Sequence, residues 1–320
     1  MAFKSPNLAK KGLWRRTPPA VFPPIMGLFG LGLGWRRMAG DTGLPPGFAE
    51  TILGAVTLPF AFAVLAYGAK LLRRPAVILE DLRVLPGSAG LSAMVLCPYL
   101  LVLTLLPLAG PLAGLLFGGL ACHGVLVILL IWALARGPAE QRRVSPVWHL
   151  SFVGFIIAAL AAIRIGLGSL SLLLFALTFL MAAAIWAVSA ERLITEKVPP
   201  PLRPLLAIHL SPAALFGLVA KAQGLDVVAA GFAVLSAILL AAMILNVRWL
   251  TAASFSPLWG AFTFPLAATA TLWLTLDGIW FYPGVIVLLG ATVIVPWIAF
   301  RVIKLWASGR LAILTNAAAA

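Results

Sequence analysis

Apolar residues in this chain come in runs rather than in alternation. From residue 19 to residue 306, long apolar stretches recur with only short polar breaks. A stretch of about 18 or more such residues is long enough to cross the roughly 30 Å hydrocarbon core of a bilayer as a helix. The pattern predicts ten helices, over residues 19–38, 48–70, 89–107, 111–135, 146–164, 168–190, 203–221, 225–246, 256–276 and 281–304. Only Pro107-Leu-Ala-Gly-Pro111 separates the third from the fourth. Proline and glycine punctuate there, and the joined segment, about 45 residues, is too long for one crossing. The expected fold class is all-α integral membrane, with a tail over 1–18, a ten-helix domain over 19–306 and a second tail over 307–320.

Charge orients this frame. The chain holds 23 Lys and Arg against 9 Asp and Glu. Nineteen of the basic residues, Lys4, Lys10 and Lys11 among them, fall in the two tails and the even-numbered connections, on one face. Arg36, Arg37, Arg164 and Lys221 fall on the other. Basic segments stay cytoplasmic, so both termini are expected inside a multi-pass protein of a cell membrane, the bacterial inner membrane. Topogenic charge that also meets anionic lipid headgroups accounts for the net +14, and no nucleic-acid partner is needed. Trp14, Trp35, Trp148, Trp249, Trp280 and Trp306 lie near span ends, where amphipathic rings prefer the interface. The first apolar run is too long for a cleavable signal and ends in Trp35-Arg36-Arg37, so no signal peptide is expected.

The predicted interior is as telling for what it lacks. No Asp, Glu, Lys or Arg falls mid-span, and a buried charge is costly enough to be kept only for work. That argues against a carboxylate proton relay, an intramembrane metalloenzyme or aspartyl protease, and a prenyltransferase with paired aspartates. No Gly-Lys-Ser/Thr phosphate loop occurs. No enzyme activity, cofactor or metal is expected. Cys97 and Cys122 read as buried packing residues. His123, His149 and His209, scattered over three spans without metal-ligand spacing, read as structural. A pathway through this protein is expected to be mostly apolar.

Odd and even spans differ. Each odd span carries a proline in or at the start of its apolar run, at Pro23 and Pro24, Pro98, Pro146, Pro212 and Pro265, whereas only Pro59 and Pro296 lie well inside even spans. Proline kinks a helix, and a freed carbonyl is tolerated at depth beside neighbours or water. Five hairpins are therefore expected, with kinked odd helices inside and straighter even helices outside; incidental proline is the competing explanation. In Met26-Gly-Leu-Phe-Gly-Leu-Gly-Leu-Gly-Trp35, Gly27, Gly30 and Gly34 share one helix face, to line a conduit or to allow close packing. Arg36, Arg37, Arg164 and Lys221 all end odd spans. Around a conduit they would form a basic outer mouth that attracts anions; otherwise they are interfacial anchors.

Three segments carry a family resemblance. The run from Pro18 to Arg36 is similar to the first span of the tellurite-resistance/dicarboxylate transporter family, which includes the plant guard-cell slow anion channels. Ile208-His-Leu-Ser-Pro-Ala-Ala214 resembles its seventh span, and Ser256-Pro-Leu-Trp-Gly-Ala-Phe-Thr-Phe-Pro-Leu-Ala-Ala268, the most specific match, its ninth. The resemblance implies five tandem hairpins around a central pore, a homotrimer with one pore per subunit, and permeation by small inorganic or organic anions. It also implies a pore-blocking phenylalanine in the ninth span, at Phe264, with Phe262 the weaker candidate. The tail before the first span is about 18 residues, with Ser5 and Thr17 as its hydroxyls, and does not support the kinase control of the long plant tails. A passive channel for small monovalent anions is the leading function. A coupled carrier of C4-dicarboxylates or tellurite-like oxyanions is the alternative, although it would benefit from a basic residue at depth.

Overall fold

The structure, a computed structural model, describes residues 13–109 and 112–320. Lys4, Ser5, Lys10 and Lys11 lie outside the described residues, as does the Gly110-Pro111 half of the break between the third and fourth spans. Among the described residues all regular structure is helical. The longer helices are α1 (Phe22–Thr42), α2 (Gly47–Arg73), α3 (Leu85–Ala109), α4 (Ala113–Arg136), α5 (Phe155–Arg164), α6 (Gly168–Thr195), α7 (Leu210–Ala222), α8 (Asp226–Leu245), α9 (Thr263–Leu276) and α10 (Phe281–Ala307).

Among the described residues seven helices are long and apolar enough to cross a membrane: α2, α3, α4, α6, α8, α10, and α7 together with the turns before it. The other three expected spans differ for identifiable reasons. The last turns of α1 carry Arg36, Arg37 and Asp41, which lower its mean hydropathy. Helices α5 and α9 have 10 and 14 residues, because a π turn (His149–Val153) and a 3-10 helix (Pro257–Phe262) precede them.

That composite build recurs in the odd helices and changes the meaning of their prolines. A 3-10 turn (Pro19–Val21) leads into α1, and a longer one (Pro200–His209) into α7. Pro24, Pro212 and Pro265 each sit at the third residue of an α-helix, and Pro146 lies just before the π turn. In a first turn the missing N–H has no intrahelical acceptor to lose. These four prolines therefore mark a change of helical pitch at a helix start instead of kinking the middle of a continuous helix. Pro98 alone of the five lies inside an α-helix.

Packing divides the helices by number. α1 packs on α3, α3 on α5, α5 on α7, α7 on α9, and α9 back on α1. Each also packs on the even helix that follows it. Within the most apolar window, 78% of Pro200–Ala222 and 56% of α3 are buried, against 22–33% of α2, α4, α6, α8 and α10. The even helices turn Leu58, Ile128, Leu180, Ile238 and Val293 outward, where acyl chains solvate them as well as protein would. Cys97 on α3 is buried. Cys122 on α4 is exposed, which corrects its reading as a buried packing residue: it lies on an outward face of an even helix.

The glycine stripe seats α1 on its neighbours. A methyl group added to Gly27 would overlap the Thr263 side chain, and one on Gly34 would reach Leu288 and Thr271. Gly27, Gly30 and Gly34 are thus a close-approach surface toward α9 and α10, the packing role that small residues serve between membrane helices.

The described start and end of the chain meet at one face. Lys70, at the end of α2, and Asp81, in the short helix Val77–Leu82, form a fully buried ion pair at 2.7 Å. The same Asp81 oxygen accepts from Tyr67 at 2.9 Å, Asp81 Oδ1 accepts from the Ala318 amide at 2.8 Å, and Lys70 also donates to the Thr17 carbonyl at 3.1 Å.

Candidate functional site

Two small cavities lie on the inside of the odd-helix circuit. The wider, about 20 Å³, is lined by the starting ends of all five odd segments, through Ala20 and Pro23, Pro86 and Ala89, Leu150, Ile208, and Pro257 with Ala261. The narrower, about 10 Å³, is lined by Met26, Leu96, His149, Ile157, Ser211 and Phe264 among others. By this measure it has room for about one water. Leu150 and Ile208 line both, so the two lie end to end. No charged side chain lines either one. The polar side chains at the narrow level are His149 and Ser211.

Phe264 sits at this narrow level and is buried, at 5% exposed. Glycine in α1 makes room for its ring: a methyl on Gly30 would lie 3.1 Å from Phe264 Cδ2, closer than carbon atoms pack comfortably. Phe262, two residues earlier, lines neither cavity. Its ring packs edge-on to Trp259 at 5.8 Å. The two phenylalanines differ because Phe262 ends the 3-10 turn while Phe264 is the second residue of α9.

The structure brings together two residues that looked unrelated in sequence. His149 Nε2 and His209 Nδ1 are 2.9 Å apart, and Trp186 donates to the His209 carbonyl at 3.2 Å. The sequence signal is faint: each histidine lies three residues from a proline, Pro146 before the first and Pro212 after the second. His123 is buried against the π turn. It bonds the Ser151 carbonyl of the π turn at 2.8 Å and stacks on Phe155, while the Ser151 hydroxyl pairs with Ser92 at 2.7 Å. Among the described residues no three His, Cys, Asp or Glu are grouped to hold a metal.

The four basic residues expected at an outer mouth are unequal. Arg36 grips Glu50 with two hydrogen bonds of 2.7 and 2.6 Å and caps the Leu103 and Thr104 carbonyls of α3. Arg37 pairs with Asp41 at 2.8 Å and Lys221 with Asp226 at 2.6 Å. Arg164 is exposed and makes no ion pair among the described residues. Glu50 and Asp226, at the starts of the following helices, and Asp41, one turn beyond Arg37 in α1, thus neutralise three of the four.

No individual curated protein matches the chain. The sequence profile of the voltage-dependent anion channel family, in contrast, matches residues 16–304, a stretch that holds the whole odd-helix circuit, both cavities and Phe264. On that match, and with its apolar helices, this multi-pass membrane protein belongs to the voltage-dependent anion channel family.

Proposed function

We propose that this protein is a passive channel for small monovalent anions, that its pathway runs through the odd-helix circuit, and that Phe264 closes it at rest. The carrying observation is the narrow cavity at which all five odd segments and the Phe264 ring converge with no charged side chain. An apolar constriction with room for about one water blocks ions by dewetting. The closed circuit of odd helices, each backed by an even neighbour, supports five hairpins and ten crossings. The basic face, where the described ends of the chain meet, is then cytoplasmic; a reporter fused after Ala320 that scored as external would overturn this topology.

Two features favour anions. Ser211 and Phe264 lie in the first turns of α7 and α9, where the positive end of a helix dipole favours negative charge. A basic outer face raises the local anion concentration, and with three of its four cations paired the work falls chiefly on Arg164. Neutralising Arg164 with glutamine is therefore expected to lower conductance at low salt more than at high salt, and more than the same change at Lys221 does. Equal conductance at low salt would make Arg164 an anchor.

Planar-bilayer recording of the purified protein tests the channel mechanism directly. Discrete unitary currents carried by chloride or nitrate are expected, at least once the closure is relieved. Radiotracer uptake that never resolves into unitary events, in wild type and in a Phe264 variant alike, would favour a carrier.

A further inference from the structure

On the outside of the circuit a groove opens between α6, the turns leading into α7, and α8. It encloses about 670 Å³, with largely apolar walls that include Leu193, Leu206, Leu239 and Met243. A smaller cleft of about 160 Å³ continues from it, and the two share Ser189, Leu193 and Leu206. The cleft carries charge where the groove carries none: Arg192, Glu196 and Lys197, with Ser145, line it among apolar residues. Arg192 binds Glu196 at 3.0 Å and donates to the Val144 carbonyl at 2.6 Å, while Arg143 lies 3.6 Å from Glu196. The hydrogen bonds from Arg192 hold the Glu196 carboxyl below its usual range. Lys197 is exposed and makes no ion pair among the described residues. Three cations thus meet one carboxylate. Ser145 Oγ is buried with no hydrogen-bond partner among the described residues, and so is Nε2 of His209, which lines the groove. Buried polar atoms of this kind are costly unless something pairs with them.

An apolar groove continuous with a cationic, donor-bearing cleft matches an anionic phospholipid. We propose that this is a lipid-binding site, with an acyl chain lying along α8 in the groove and the phosphate in the cleft. Lys197 and Ser145 donate to the phosphate, while Arg143 and Arg192 outweigh Glu196. The guanidinium of Arg203, stacked 4.4 Å over the groove residue Trp249, adds charge at the rim. The site touches the inner circuit in two places. Leu205 lines both the cleft and the wider central cavity, and His209 reaches His149 of the narrow cavity. A bound lipid therefore braces the central wall from outside. Binding itself does not depend on what passes through the centre.

Native mass spectrometry of the detergent-purified protein, titrated with phosphatidylglycerol and with phosphatidylcholine of the same acyl chains, tests the site. Phosphatidylglycerol is expected to be retained at least about fivefold more tightly, the contribution of roughly one basic side chain at an anionic surface. Lys197→Glu, at an exposed position, should bring its retention down to the phosphatidylcholine level with an unchanged melting temperature. Ala242→Trp, on the exposed groove wall, should weaken retention of both lipids. Equal retention of the two lipids by wild type, or full retention of phosphatidylglycerol by Lys197→Glu, would overturn the proposal. It also fails if Ala242→Trp changes the oligomeric mass while leaving lipid retention intact, since the groove then belongs to a second copy of the chain.

Discussion

Phe264→Ala is expected to yield a folded protein with a constitutive anion current at least about tenfold above wild type, which requires only ~1.4 kcal/mol off the barrier. The ring lies where all five odd segments converge, and beside it there is room for about one water. Removing it widens the apolar constriction, lets water in and lowers the dewetting barrier. Truncating a buried Phe typically costs about 3–5 kcal/mol of stability. The cost here should fall at the lower end, because one side of the ring already faces a cavity, and alanine is the best helix former. Phe262→Ala serves as the control. That ring is equally buried but packs toward Trp259, away from both cavities, so its loss should change current far less. Both variants should still prefer anions over cations, since the helix N-termini and the outer cations are untouched. The measurement is electrophysiology of both variants beside wild type, with surface expression quantified. A well-expressed Phe264→Ala that is as quiet as wild type would show that the closure lies elsewhere.

The second large effect concerns folding. Asp81→Ala is expected to destabilise the protein by about 3–5 kcal/mol, because it leaves the Lys70 ammonium buried without its counter-charge. Against a typical total of about 5–15 kcal/mol, much of the protein should fail to fold or melt far earlier. Three groups converge on Asp81, namely Lys70, Tyr67 and the Ala318 amide, so the change also unties the described end of the chain from α2. The double variant Lys70→Met/Asp81→Leu should recover most of the loss, since an apolar pair of similar volume avoids the desolvation cost. Thermal melting followed by gel filtration in detergent reads both. A single variant that melts with wild type, or a double variant no better than the single, would contradict this account of the pair.

The proposed closure and the buried ion pair lie in different parts of the chain, and those parts were unequally visible in the sequence. Apolar run length and the one-sided distribution of Lys and Arg depend on the solvent, because lipid and water impose them residue by residue. From them the chain determined by itself that it is a helical, multi-pass membrane protein. The ninth-span segment around Phe264 was legible as a family resemblance.

Only the tertiary structure decided the rest. The division into buried odd helices and outward even ones needs a packing partner to be defined, so Cys97 and Cys122, alike in sequence, part ways. The roles of Gly27, Gly30 and Gly34 depend on what lies opposite them, and α9 lies there. Pro24, Pro146, Pro212 and Pro265 were visible as residues, but whether a proline kinks a helix or starts one depends on the turns before it. The pairing of His149 with His209, and of Arg36 with Glu50, joins side chains whose spacing along the chain carries almost no signal, whereas Arg37 and Asp41 stand one helical turn apart in α1. The distances of 2.6 Å between Arg36 and Glu50 and 2.9 Å between His149 and His209 arise only once helix packing has set the geometry, because such contacts are properties of the fold and not of any local run of residues.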